Sequence, residues 1–404
     1  MLTPAEAESR IFQHLLPFHR EDCPLVEAQG RVLREDLRAD RDLPPFDRVT
    51  MDGYALRSAA LAAGRRQFRV LGTQAAGVLP LALGAADDGC VEIMTGAVLA
   101  TGADCVVPYE ETQRDGDLVA IAEEAAATVR AGAAVHRRGS DHAAGNVIVR
   151  AGTRLTGKEI AVAASVGAAT LTVSHRPKIA IVATGDELVE VTSVVGPHQI
   201  RRSNDYALRA ALIAAGYGQV ERFHARDMRH EIEHLLWHVL AEYDVVLLTG
   251  GVSKGKFDFL PAELDAQGVQ RVFQGVAQRP GKPFWFGVSR QRKPVFALPG
   301  NPVSAYTCLH RYVLPALAHT ICLPPAPQRT AALAEAVTFK PKLARLLPVT
   351  LKSGPRAELQ AQPDPDNTSG DFAGLVDTDG FVELPAGQDE FPAGYVARFW
   401  AWTV

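Results

Sequence analysis

The chain is poor in the features that would announce a simple function. Five cysteines in 404 residues, odd in number and never at C-x-x-C spacing, exclude a disulfide framework and a thiolate metal site. They are expected to be buried, reduced thiols. Charge of either sign is not in excess: 42 basic residues stand against 46 acidic ones, for a net −4. That balance supplies no electrostatic drive toward nucleic acid or a membrane surface. No apolar run approaches the ~18 residues of a membrane span, and the opening Met1-Leu2-Thr3-Pro4-Ala5-Glu6 has neither a basic nor an apolar leader region, so a cytoplasmic protein is expected. Tandem repeats and low-complexity tracts are also lacking.

What is present is ordinary globular composition, 47% hydrophobic and 22% charged, over a length that calls for several domains. Thr3, Pro4 and Glu6 form a helix-start signal, followed by an apolar stripe of Ile11, Leu15 and Leu16. From Leu43 to about Arg150, short runs such as Phe68–Leu71 and Leu118–Ile121 alternate with glycine and acidic turns, which indicates a small mixed β-domain. After Pro177 the pattern changes. Continuous apolar strands (Ile179–Ala183, Val245–Leu248, Val295–Leu298) alternate with amphipathic helices, predicted over Ser203–Ala215, Ile232–Leu240, Pro261–Ala266 and up to Leu317. Strands are also expected at Arg271–Ala277 and Phe284–Gly287, and the whole reads as a parallel sheet covered on both faces. Pro324, Pro325 and Pro327 mark a linker. Beyond it, Pro348–Leu351 and Phe381–Leu384 suggest a compact β-domain.

In such a sheet, ligands collect beyond the carboxyl ends of the strands. Three loops fall there. Thr184-Gly185-Asp186-Glu187-Leu188 offers a permissive glycine and two carboxylates suited to a divalent cation. Thr249-Gly250-Gly251-Val252-Ser253-Lys254-Gly255, with Asp258 three residues on, reads as a backbone anion nest beside a hard oxygen ligand for Mg2+. Pro299-Gly300-Asn301-Pro302-Val303-Ser304 opens the next helix with a stiff backbone and a hydroxyl. Arg279-Pro280-Gly281-Lys282-Pro283 adds two cations fit for an oxyanion. Each feature has a plainer reading: Asp186 as a helix cap, Glu187 as a first-turn acid, Lys282 as a solvated charge. Their convergence favours a binding site. Two further stretches, Pro44–Ala55 with Asp47 and Asp52, and Ile93–Ala97 with Thr95, spell out no reaction by spacing; turn capping and core packing account for them equally well.

Taken in order, Pro45–Ala55, Ile93–Ala97, Gly139-Ser140-Asp141, Thr184–Leu188, Thr249–Asp258, Pro280–Pro283 and Leu298–Ser304 resemble the molybdopterin molybdenumtransferase family, which includes bacterial MoeA and the gephyrin E-domain. The resemblance implies four parts: an extended dimerising region (1–50 and 140–176), an inserted β-domain (51–139), an α/β molybdopterin-binding domain (177–323) and a C-terminal β-barrel (328–404). It implies a homodimer that inserts molybdate into the dithiolene of adenylylated molybdopterin, with Mg2+-dependent release of AMP. The active cleft would face N-terminal residues of the second subunit, giving Asp52, Thr95 and Asp141 catalytic roles. Asp258 and Glu187 would support Mg2+ and anhydride cleavage, with Asp186 as a further acid. Thr184, Gly185, Gly250, Gly251, Ser253, Gly255, Pro299, Gly300 and Asn301 would hold the pterin nucleotide. Arg279, Lys282, Ser304 and Ser369 would line the molybdate pocket. The substrate carries the sulfurs, so no protein cysteine is required. The upstream adenylyltransferase and molybdoenzyme maturation factors are the implied partners. The chain departs from the family at Pro348-Val349-Thr350-Leu351, where a basic residue is common, and Arg345 would have to move to replace it. Arg279 stands for a frequent lysine, and Asp379-Gly380 for a usual small-residue step. The alternative function is a non-catalytic or diverged paralogue acting as pterin carrier or scaffold.

Overall fold

The architecture comes from a computed structural model of the chain, which describes residues 1–251, 260–354, 357–364 and 370–403. The first helix, Pro4–His14, starts as its sequence dictates: Thr3 accepts from the Glu6 amide, Glu6 reaches back to the Thr3 amide, and Pro4 takes the first turn. Ala7 and Ile11 are buried along it. The expected stripe is shorter than predicted. The helix stops at His14, Leu15 is already extended, and Leu16, which precedes Pro17, is 54% exposed. Proline disfavours helical backbone in the residue before it, so the register that would have turned Leu16 inward is lost.

Three antiparallel pairings then tie the N-terminal stretch to residues far along the chain. Arg20–Pro24 pairs with Thr170–Ser174, Leu37–Arg38 with Val147–Val149, and Arg48–Val49 with Val135–His136. Between the arms of this ladder lies a six-stranded sheet in the order Cys105–Pro108, Gly53–Leu56, Gly89–Ile93, Gln67–Gln74, Leu118–Ile121, Thr112–Asp115. One face packs Tyr54, Leu56, Phe68 and Val119 against short helices; the other buries Val49, Val91, Ile93 and Val106.

The central sheet also has six strands, in the order Val220–Ala225, Ile179–Thr184, Val245–Thr249, Pro294–Leu298, Trp285–Val288, Gln270–Gln274. The first four are parallel, and Ile179–Thr184, Val245–Thr249 and Pro294–Leu298 are buried on both faces, as their apolar content requires, while Val220–Ala225 forms a partly exposed edge. The last two strands join through antiparallel pairings, so the sheet is parallel-rich. Their connection is too short to carry a crossover helix, so the chain reverses on itself. Helices Asn204–Ala214, Arg229–Glu242, Leu260–Ala266 and Pro302–Cys308 cover the faces, and the last runs through a π-turn at Leu309–Val313 into Leu314–Thr320.

The C-terminal part closes on itself. Ala344–Ser353, Leu359–Pro363, Arg329–Leu333, Val396–Ala401 and Gly380–Leu384 form a ring in that order, the last strand pairing back with the first. Closure removes the sheet edges. Gln278–Arg279 of the α/β part adds beside Ala344–Arg345 in parallel register and joins the two sheets. No described helix is long and apolar enough to cross a membrane.

Candidate active site

Three neighbouring parallel strands end together. Ala183 is level with Thr249, and Thr249 with Leu298, so the loops that follow all leave from one edge. The antiparallel pair brings a fourth loop to the same place. Gln274 faces Trp285, which faces Ala297, so residues 275–284 turn at that edge too. The sheet thereby gathers Thr184–Glu187, Gly250–Gly251, Pro299–Ser304 and the Arg279–Lys282 turn.

The fit between these loops is tight where glycine allows it. Gly250 has φ +94° and Gly251 φ +65°, a region costly for residues with a side chain. A Cβ on Gly250 would lie 2.7 Å from the Thr184 carbonyl oxygen. Thr184 itself is buried, and its hydroxyl has no hydrogen-bond partner among the described residues, although it lies against both glycines. Buried hydroxyls without a partner are uncommon in folded proteins. Asp186 Oδ1 accepts from the Asp227 amide at 3.0 Å, and His224 Nε2 donates to the Gly185 carbonyl at 3.2 Å. The exposed Glu187 carboxylate folds back over Gly185.

Asn204 was missed by sequence reasoning, which read it only as the beginning of a helix. Its Nδ2 donates to Thr249 Oγ1 at 3.0 Å and to the Gly300 carbonyl at 2.7 Å, clamping two of the loops. The Ser203-Asn204-Asp205 cluster was the available signal, since short polar side chains at a helix start seek nearby backbone. Just behind it, Asp205 is fully buried and pairs with Arg222 at 3.1 Å, while Arg222 stacks on Tyr206 at 3.5 Å. Glu190 takes Arg202 and the Tyr206 hydroxyl, which hold its carboxyl below the usual range. This network fixes the long segment that follows Glu187.

The cationic turn is anchored from below. Gln278 bonds Cys308 Sγ at 3.6 Å and receives the Tyr312 hydroxyl. Gly281 sits so close to Cys308 that a Cβ would be 2.6 Å from its sulfur. Arg279 and Lys282 remain exposed above the helix that carries buried Ser304. Burial raises the Cys308 thiol, and pushes those of Cys90 and Cys105 up to about 12, so none supplies a thiolate. Cys23 is buried as well, whereas Cys322 is only partly so.

The N-terminal candidates have local partners. Asp52 Oδ1 accepts from the Thr95 amide at 2.6 Å and its hydroxyl at 2.7 Å, which lowers the Asp52 pKa. Asp141 meets His136 Nε2 at 2.9 Å, and His136 Nδ1 faces Arg48. Arg138 bridges Asp42 and Asp47 and holds this stretch against the diproline segment. Ser253, Gly255, Asp258 and Ser369 lie outside the described residues.

The fold defines a multidomain α/β protein with glycine-rich loops and a cationic turn gathered at one sheet edge, joined to a small closed barrel. Family models place it further: the MoeA N-terminal region (domain I and II) matches residues 2–167, a probable molybdopterin binding domain matches 180–319, and the MoeA C-terminal region (domain IV) matches 330–402. A molybdopterin molybdenumtransferase of Synechocystis sp. is 41% identical over 100% of both chains, and one of Synechococcus elongatus is 33% identical over 94% of each. The crystal structure of a molybdopterin biosynthesis MoeA protein from Pyrococcus horikosii superposes with a TM-score of 0.83, at 30% identity and 100% coverage of both chains. The chain belongs to the MoeA family of molybdopterin molybdenumtransferases.

Proposed function

We propose that this chain is a molybdopterin molybdenumtransferase that inserts molybdate into the dithiolene of adenylylated molybdopterin and releases AMP. One observation carries the reading: a left-handed diglycine turn, an orphaned Thr184 hydroxyl, exposed carboxylates and a cationic turn meet at a single sheet edge. The Gly251 amide suits a phosphate oxygen, whereas that of Gly250 donates to the Leu298 carbonyl at 3.4 Å, and Thr184 lies where a bound nucleotide would complete its hydroxyl.

Glu187, Asp186 and Asp258 are hard oxygen donors, the type Mg2+ requires, and Glu187 has no cationic partner among the described residues. They would hold the ion, with Asp258 and Glu187 as its main ligands. Bound there, Mg2+ neutralises charge that develops on the departing AMP. Asn204, Pro299, Gly300 and Asn301 position the nucleotide end. Arg279, Lys282, Ser304 and Ser369 receive the oxyanion, whose tetrahedral oxygens match guanidinium, ammonium and hydroxyl donors. Asp52, with its proton kept off by two Thr95 hydrogen bonds, serves a cleft formed with a second copy of the chain, as do Thr95 and Asp141. The working unit is thus a cytoplasmic homodimer. It receives its substrate from the adenylyltransferase and passes product to molybdoenzyme maturation factors.

The test is AMP release from adenylylated molybdopterin across a molybdate series with Mg2+, comparing the parent with Glu187→Gln and Asp258→Ala. Molybdate-dependent release that falls at least tenfold in both variants is expected. Tight pterin binding without turnover in the parent would overturn the transferase reading in favour of a carrier.

A further inference from the structure

A second cluster of ligand-type side chains lies at the opposite edge of the central sheet. Asp244 comes just before the Val245–Thr249 strand, whereas the diglycine turn comes just after it. His19 and Glu21 flank Arg20 at the start of the Arg20–Pro24 strand, and two-residue spacing puts them on one face. Arg20 is level with Ser174, and the His175 amide donates to the His19 carbonyl at 2.9 Å, so His175 stands directly across from His19. The two imidazoles stack with centroids 4.2 Å apart and planes 24° from parallel. One ligand atom from each of His19, Glu21 and His175 falls within a mutual 4.8 Å, and these are the grouped metal-type residues among the described part of the chain.

We propose that His19, Glu21 and His175 form a binding site for a borderline divalent cation of the Zn2+ type. Two imidazole nitrogens and one carboxylate oxygen are the donor mixture such an ion selects, while Mg2+ and Ca2+ prefer oxygen throughout. The surroundings are arranged as a metal site needs. His175 Nδ1 points at Glu21 Oε2 at 2.9 Å, and its other nitrogen, Nε2, meets Asp244 Oδ2 at 3.1 Å. Asp244 is itself fixed by the Lys178 amide at 2.9 Å. A carboxylate on the far nitrogen sets the tautomer and aims the near one at the cation. Arg31 occupies Glu21 Oε1, so Oε2 is the oxygen turned to the histidines. His19 Nε2 lies 3.8 Å from that oxygen, and the side chain is 66% exposed. It is therefore free to rotate and bring the donors to the roughly 3.4 Å separation that tetrahedral Zn–N bonds of about 2.0 Å impose. The occupied site would pin the N-terminal ribbon to the base of the α/β sheet, away from the Mg2+-dependent chemistry.

The experiment uses the full chain, stripped with chelator and titrated with ZnCl2 against a chromophoric competitor. His230 and His234, four apart on the exposed face of one helix, are replaced by Gln beforehand because an i, i+4 pair also chelates. One Zn2+ per chain is expected, with a Zn2+-dependent rise in Tm. His19→Gln, on an exposed side chain, should weaken binding at least tenfold and abolish the Tm rise while AMP release stays unchanged. Asp244→Asn should weaken it by about tenfold through ring orientation alone. Co2+ in place of Zn2+ should give visible absorption in the parent that His19→Gln alters. The proposal is overturned if the parent takes up no stoichiometric Zn2+, or if His19→Gln binds it as tightly as the parent does.

Discussion

Arg279 and Arg345 stand level with one another on neighbouring parallel strands, one from the α/β part and one from the barrel. Burial, and then the Arg279 charge, hold the Arg345 pKa below the usual arginine range. Neither guanidinium has a carboxylate partner among the described residues, although Arg345 stacks over Phe339 at 5.3 Å. An anion bound beside them would offset that repulsion. The proposed molybdate pocket takes Arg345 as the stand-in for the basic residue missing at Pro348. Replacing it, Arg345→Met, should raise the molybdate KM about tenfold, the loss of roughly one charge-assisted hydrogen bond, with kcat little changed. AMP release against molybdate concentration reads this directly; an unaltered KM would remove Arg345 from the pocket.

Gly250→Ala places a methyl group 2.7 Å from the Thr184 carbonyl at φ +94°. The backbone must shift, and the turn amides lose their aim. Pterin nucleotide affinity should fall at least tenfold, while the left-handed conformation adds about 1–2 kcal/mol of instability. Equilibrium binding and urea unfolding separate the two effects. A variant that binds as well as the parent would show that the turn does not cradle phosphate.

Much of this was legible in the sequence, for identifiable reasons. Continuous apolar strands such as Ile179–Thr184 can only be buried on both faces, and the loops after them must then share an edge. What escaped were relations that no local spacing encodes. Asn204 reaches Thr249 and Gly300 across 45 and 96 residues, and Arg279 meets Arg345 only because the barrel docks on the sheet. The antiparallel reversal at Trp285–Val288 was hidden because a doubly buried strand has the same composition in either direction. Leu16 misled because a periodic pattern was carried past the helix end imposed by Pro17.

Asn204→Ala removes both hydrogen bonds of the clamp and leaves Thr249 Oγ1 and the Gly300 carbonyl without this donor. The Gly250 and Gly300 loops should then move apart. Loss of about 1–3 kcal/mol of positioning predicts a kcat reduced about 10- to 100-fold, with the global fold retained. Single-turnover AMP release beside an unchanged circular dichroism spectrum checks this. Full activity in the variant would make the clamp a packing detail.

Arg311 joins three parts of the molecule. It is fully buried on the π-turn, with its Nε 2.7 Å from Glu383 of the barrel and its Nη1 3.2 Å from Glu8 of the first helix, and its guanidinium lies over Trp400. Arg311→Met keeps much of the volume but strands two partly buried carboxylates. Unfolding should cost about 3–5 kcal/mol less than in the parent. The double variant Arg311→Met with Glu383→Gln should recover part of that loss, as measured by denaturant midpoints.

One residue earlier, His310 gives the fold an acid limit. It is 5% exposed, packed between Tyr306 and Trp402, and its Nε2 has no partner among the described residues. Burial lowers its pKa to about 4, against 6.5 for the free side chain. Between these values the unfolded chain takes up a proton that the folded chain resists, so stability declines as pH falls from about 6.5 toward 4. Above that window the histidine is neutral in both states and contributes no slope. The part due to His310 should reach about 2 kcal/mol at pH 5 relative to pH 7. In His310→Gln that difference should shrink by the same amount, whatever the variant's stability at pH 7. Urea unfolding at the two pH values measures it, and an equal acid loss in parent and variant would place the sensitivity elsewhere.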